Sequence, residues 1–220
     1  MSILLANTKV TSIELRIPWR GCWEARATLQ GAAPSGQVVI DWRGWKLLGG
    51  EVDPLRSGMF AGVGTVVVVG GYRWGTLLQP RYYSSDLGIR AITVTRHLAD
   101  AAGLPLEVPS SSDRDLGRFW MRRHESAGSA LTRVLGSWRV DLDGVTRAGN
   151  RPSAQLGAGV DVIDYDPRAS EIKLFAERPD RVPLGAVVTS PRLPGPRRVV
   201  ELEVWAGGDS ERIEAHTEAA

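Results

Sequence analysis

Glycine and proline interrupt this chain so often that it has to be built from short elements. The 220 residues include 25 Gly and 13 Pro, about one residue in six, against a usual combined share of roughly 12%. Between the interruptions the apolar residues alternate. Thr11, Ile13, Leu15 and Ile17 lie on one side of Ser12, Glu14 and Arg16 until Pro18, and Trp23, Ala25, Ala27 and Leu29 repeat the pattern against Glu24, Arg26 and Thr28. A period of two predicts half-buried strands. After a turn over Gly31–Gly36, Val38, Ile40 and Trp42 share a face opposite Val39, Asp41 and Arg43, with a break at Gly49-Gly50. The run GVGTVVVVGG from Gly62 to Gly71 favours a strand, because β-branched valines lose rotamer freedom in a helix. Residues 1–80 therefore read as a small antiparallel barrel or sandwich.

The period changes over residues 81–150. Ala91, Val94, Leu98 and Ala101 fall at steps of three and four, with Gly103 and Pro105 as a stop. Ala127, Ala130, Leu131, Val134 and Leu135 form a fuller helical stripe, with Ser126 as the cap and Gly136 as the end. Trp138, Val140 and Leu142 alternate up to Asp143-Gly144, which predicts a type I′ hairpin returning over Val145–Ala148. From residue 151 strands resume: Val160, Val162 and Asp164 alternate with Asp161, Ile163 and Tyr165, and after a turn Ile172, Leu174 and Ala176 return. Leu184–Val188, Val199–Trp205 and Ser210–His216 supply further strands, enough for a second small barrel. The fold class expected is α+β, mainly β, with two antiparallel β-barrels at 1–80 and 151–220 flanking a helix-helix-hairpin insert at 81–150. Each section is near the size at which a lone core is marginal, so the three should pack on one another or on neighbours.

With 43% hydrophobic and 24% charged residues the chain is globular rather than disordered. The lone Cys22 cannot form an internal disulfide, and with His97, His124 and His216 it lacks the spacing of a Cys/His zinc site. The balance of 27 basic and 25 acidic residues leaves +2, which gives little electrostatic steering toward nucleic acid. Only Lys9, Lys46 and Lys173 are lysines, so 24 of the 27 basic residues are arginines, suited to bidentate contacts and wet interfaces. The first ten residues lack a basic region followed by a long apolar stretch, and no run approaches the roughly 18 to 20 apolar residues of a membrane span. The expectation is folding in a reducing cytoplasm with no membrane insertion.

No motif carries chemistry. Gly62 and Gly64 open onto valines, with Val67 where a dinucleotide fingerprint needs its third glycine. Asp161, Asp164 and Asp166 could offer oxygens to Ca²⁺. On a regular strand, however, Asp161 and Asp164 face opposite sides, and Asp166-Pro167 opens a turn, so a solvated strand edge is the leading reading. Cys22 reads as buried filler, His97 as a surface residue, and His124 follows Arg122-Arg123 with no orienting carboxylate. No catalytic, cofactor or metal site is assigned, and the chain is not expected to be an enzyme. Trp120, Trp138 and Trp205 are expected in the core. Trp19, Arg20, Trp42, Arg43 and Trp45 combine the residue types enriched at interfaces and are the candidate contact surface. A carbohydrate- or peptidoglycan-binding module using these tryptophans is the alternative, and a hydrolase with unrecognised carboxylates a third reading.

The order of features resembles the baseplate or tail-hub proteins of tailed bacteriophages. The resemblance runs through Gly70-Gly71, Tyr82-Tyr83-Ser84-Ser85, Ala101-Ala102-Gly103, Phe119-Trp120-Met121-Arg122-Arg123 and Trp138–Gly144. It continues over Val162–Ala169, Pro183-Leu184-Gly185 and Arg197–Trp205, so it covers residues 60–205. It implies two tube-like barrels per subunit and a homotrimeric, pseudo-sixfold ring joining the tail tube to the central spike or tip. It also implies neighbours in the baseplate, transient passage of DNA through the lumen, and a place in the virion after assembly in the host cytoplasm. A near-neutral net charge suits a channel wall that must not hold phosphates tightly.

Overall fold

Alternation in the first section does produce a barrel, and one strand of it is shared with the C-terminal section. A computed structural model describes residues 3–149, 151–208 and 210–220; Met1, Ser2, Asp209 and the expected section boundary Asn150 lie outside the described residues. The N-terminal strands are β1 (Ile3–Leu5), β2 (Thr8–Pro18), β3 (Glu24–Gln30), β4 (Gln37–Trp42), β5 (Trp45–Val52), β6 (Gly58–Phe60) and β7 (Val63–Gly70). Six of them close in the order β1-β4-β5-β7-β3-β2 and back to β1, while β6 folds onto β7. The turns Ala6-Asn7, Arg43-Gly44 and Ala61-Gly62 have both central residues at positive φ, the geometry whose twist matches paired strands.

The barrel is filled. Leu5, Ile13, Leu15, Leu29, Ile40, Leu47, Val66 and Val68 are fully or almost fully buried, and the Trp23 indole plugs the space beside Gly50 and Gly70. A Cβ on Gly70 would stand 2.1 Å from Trp23 Nε1. Both faces of β7 are covered: Val66 and Val68 point into the barrel, and Val67 lies under the segment in which Asp53 N donates to the Val67 carbonyl at 2.8 Å. A strand buried on both faces reads as a continuous apolar run, which is why the valines do not alternate with polar residues.

The insert comprises β8 (Leu77–Leu78), β9 (Arg81–Ser84), α1 (Ala91–Ala102), β10 (Leu106–Glu107), β11 (Phe119–Arg122), β12 (Glu125–Ser126), α2 (Ala127–Leu135), β13 (Trp138–Val140) and β14 (Thr146–Ala148). Both helices lie where the apolar stripes place them, and Ser126 Oγ accepts from Ser129 N at 3.1 Å. The turn at Asp143-Gly144 is not type I′. Only Gly144 has positive φ; Gly144 N donates to the Asp141 carbonyl at 3.0 Å and Val145 N to Asp143 Oδ1 at 3.0 Å, giving a wider loop. That loop presses on the barrel, where Leu48 N donates to the Leu142 carbonyl at 2.7 Å and a Cβ on Gly49 would fall 2.4 Å from Gly144 Cα. The insert core pairs Trp74 with Trp138, centroids 5.6 Å apart; their indole N–H groups donate to Thr146 and Thr132 hydroxyls, each at 2.8 Å.

The C-terminal section departs from expectation. Its strands β15 (Asp161–Asp166), β16 (Glu171–Phe175), β17 (Val187–Val188), β18 (Arg197–Gly207) and β19 (Ser210–Ala219) form the row β18-β19-β16-β15, with β17 on the start of β18. Among the described residues this row ends at β15, and the expected second closed barrel is not confirmed. The edge of β18 that a closing strand would need is already used: β17 pairs with Arg197 and Arg198, and β2 pairs with Glu201 through Gly207. Along one edge of its own, β2 first closes the barrel by pairing Thr8 and Lys9 with Leu5 and Leu4 of β1, and then leaves β1 for β18.

Candidate functional site

The five interface candidates do not form one surface. Trp42 is fully buried in the barrel core, a correction to its place among contact residues, because its position on β4 has the inward parity of Val38 and Ile40. Trp45 is half-buried against it, centroids 6.4 Å apart. Arg43 is committed within the chain: Nη2 lies 3.0 Å from Glu211 Oε2, and Nη1 donates to the Glu177 carbonyl at 3.3 Å. It clips the β4–β5 turn to the C-terminal sheet. Burial pushes the Glu211 carboxyl above its ordinary range despite Arg43. Trp19 is half-buried over Gly185, and exposed Arg20 stands beside it in a cleft of about 510 Å³ shared with Arg151, Arg198 and Glu218.

Of the tryptophans expected in the core, Trp138 is buried and Trp120 half-buried. Trp205 is 37% exposed. Its alternation was real, but its side chain shares the outer face of β18 with Glu201 and Glu203, while Leu202, Val204 and Ala206 point in.

Two patches of exposed apolar side chains were not singled out from the sequence, although the second lies among the Asp161, Asp164 and Asp166 carboxylates that were. The first lies on the β9/β11 ribbon, where Trp120 pairs with Tyr83 and Met121 with Tyr82. Tyr83 and Trp120 face inward, Tyr83 stacking on His97 with centroids 5.7 Å apart. The other face presents Tyr82 (63% exposed), Phe119 (66%) and Met121 (51%), with the Tyr82 and Phe119 rings stacked 6.2 Å apart. The available signal was the doubled aromatics: when Tyr82-Tyr83 and Phe119-Trp120 lie in strands, one of each pair must point out.

The second patch lies on β15 and β16. Ile163 is a bulge: Val162 pairs with Leu174 and Asp164 with Lys173, so one residue is skipped. The bulge brings Asp161, Asp164 and Asp166 onto a common outer face, correcting the expectation that Asp161 and Asp164 point to opposite sides. Ile163 (51%) and Phe175 (60%) are exposed among them.

Three side chains that sequence spacing did not connect meet on the seam between β2, β18 and β19. Glu201, Glu203 and His216 have ligand atoms within 4.8 Å of one another. Arg16 bonds Glu201 and lies 3.4 Å from Glu203, so a guanidinium already takes the position of a cation there. Burial pushes the Glu203 carboxyl up, against the attraction of His216 and Arg16. A second network centres on Asp141, whose carboxylate accepts from Arg139 at 3.0 Å, Arg147 at 3.1 Å and Arg151 at 2.6 Å. It ties β13, β14 and the start of the C-terminal section together. Cys22 donates to the Gly71 carbonyl at 3.6 Å, and burial pushes its thiol up to about 12, far from a nucleophile.

The fold is that of phage tail proteins. The 43 kDa tail protein of prophage MuSo2 from Shewanella oneidensis superposes with a TM-score of 0.70 at 9% identity, covering 98% of this chain and 96% of that one. A tail protein from Neisseria meningitidis MC58 gives 0.69 at 11% identity, covering 99% and 95%. The E. coli c3393 protein, a component of the type VI secretion system with structural similarity to the T4 tail proteins gp27 and gp5, gives 0.67 at 10% identity, covering 100% and 77%. No protein-family model and no curated protein matches by sequence.

Proposed function

We propose that this chain is a structural protein of a phage tail or related injection machine, acting as the baseplate hub that joins tail tube to central spike as a homotrimeric ring. The observation that carries this is the extent of the shared fold: barrel, insert and C-terminal sheet all align, over 98 to 100% of the chain, with tail-type proteins. The reading assigns the chain no catalysis and places it in the virion. Because side chains fill the barrel, DNA would pass through the ring made by several copies and not through one subunit. The closed barrel and the open C-terminal sheet serve as the two unlike halves that each copy contributes, the open one completed by neighbours.

Native mass spectrometry and negative-stain imaging along the ring axis test this. The expected result is a trimer with six sheet modules around a central hole; a chain that stays monomeric with tail tube and spike partners present overturns it. Of the tryptophans that the glycan-binding alternative would use, Trp42 is buried and Trp19 and Trp45 are half-buried, which leaves that reading less stacking surface.

A further inference from the structure

The two exposed apolar patches are bordered by charges of opposite sign, and we infer that they bind each other between neighbouring copies of the chain, head to tail. This inference rests on the ring proposed above and names its contact. On the β9/β11 ribbon, the stacked Tyr82 and Phe119 with Met121 are flanked by exposed Arg118 and Arg123, neither of which has an ion pair among the described residues. Tyr, Phe, Met and Arg are the residue types that concentrate in interface centres.

On the C-terminal sheet, Ile163 and Phe175 stand exposed among Asp161, Asp164 and Asp166. These carboxylates take only backbone donors or none: Asp164 accepts from Tyr165 N at 2.9 Å and Asp166 from Arg168 N at 2.8 Å, and none of the three is in an ion pair among the described residues. Lys173, across from Asp164, and Arg192, bonded to the Ile163 carbonyl, offset part of the charge, while Glu171 and Glu177 add to it.

The signs decide the geometry. A twofold contact of either patch with its own copy would place acid on acid or arginine on arginine, and like charges held together oppose association. The favourable arrangement sets the ribbon of one copy on the acidic edge of the next, a heterologous contact that generates a ring when the rotation closes. The bulge at Ile163 also breaks the regular edge of β15, which blunts plain strand addition and leaves side chains to choose the partner.

Paired charge reversal tests this. Sedimentation and native mass spectrometry compare the full chain with R118E/R123E, with D161R/D164R, and with all four changes together. Each reversal alone is expected to raise the concentration for half-assembly about tenfold or more, and the fourfold variant to return close to the original value, because the same pairs meet with signs exchanged. Phe119→Ser, which removes an anchor without touching charge, weakens assembly in the same assay. All five side chains are exposed, and unchanged melting curves confirm folding. A wild-type ring that both reversals leave intact, or a well-folded fourfold variant that stays apart, overturns this contact while the ring reading stands. A wild-type chain that never assembles overturns the ring reading itself.

Discussion

At the scale of single residues, the tightest constraint is the slot that holds Trp23. The absent side chain of Gly70 is what lets the indole lie across β7. Gly70→Ala drives a methyl into the ring where backbone and indole both lack room, and overpacking of this kind costs about 1–3 kcal/mol or more; urea unfolding should show a loss at the upper end of that range. Cys22 offers a probe of the same region. With its thiol pushed up to about 12 by burial, it should resist maleimide or disulfide reagents at pH 8 in the folded protein and react promptly once the chain is unfolded. Asp53 supplies a pH signature. The Arg56 guanidinium, 2.6 Å away, holds the Asp53 carboxyl below its ordinary range. A depressed folded value contributes stability above the unfolded pKa of roughly 3.9, and that contribution is lost as pH falls through the folded value. Asp53→Asn should therefore be less stable at neutral pH and show a shallower loss on acidification, read from melting temperatures between pH 6 and 2.

At the scale of elements, α2 is the clearest local unit. Ser126→Ala removes the acceptor for Ser129 N and should cost about 1 kcal/mol, the usual worth of a cap, in the same unfolding measurement. This helix and α1 were legible because their apolar stripes are purely local. The strands from Thr11 to Trp42 were legible for the same reason. Three features were not. The bulge at Ile163 changes phase by one residue with no mark in its composition. The outward parity of Trp205 is set by the strands that flank β18, so alternation alone could not say which face was inside. The fate of the C-terminal strands turned on a partner almost two hundred residues earlier, since β2 occupies the edge that a second barrel would have closed. The residues of the candidate contact stood in plain view as aromatic doublets and an Asp-rich strand. What makes them a surface is pairing across the chain.

At the scale of the whole molecule, the three sections are not separable parts. The fragment 151–220 expressed alone keeps its own hairpins but loses β2, leaving the edge of β18 from Glu201 to Gly207 bare beside an incomplete core. It should give poorly dispersed amide spectra and rapid proteolysis, whereas the full chain is protected. The abundance of arginine also acquires a use at this scale. Arg43 joins the β4–β5 turn to β19, Arg16 joins β2 to β18, and Arg139, Arg147 and Arg151 converge on Asp141. Planar guanidiniums that reach several acceptors at once suit such junctions better than lysines do.

The strand common to barrel and open sheet has a mechanical consequence. Antiparallel hydrogen bonds lie across the strands, so a pull along β2 loads all the pairs from Ser12 to Pro18 together. A sideways peel would open them one after another. The junction is therefore stiff along one direction and soft across it, and that direction is the long axis of β2.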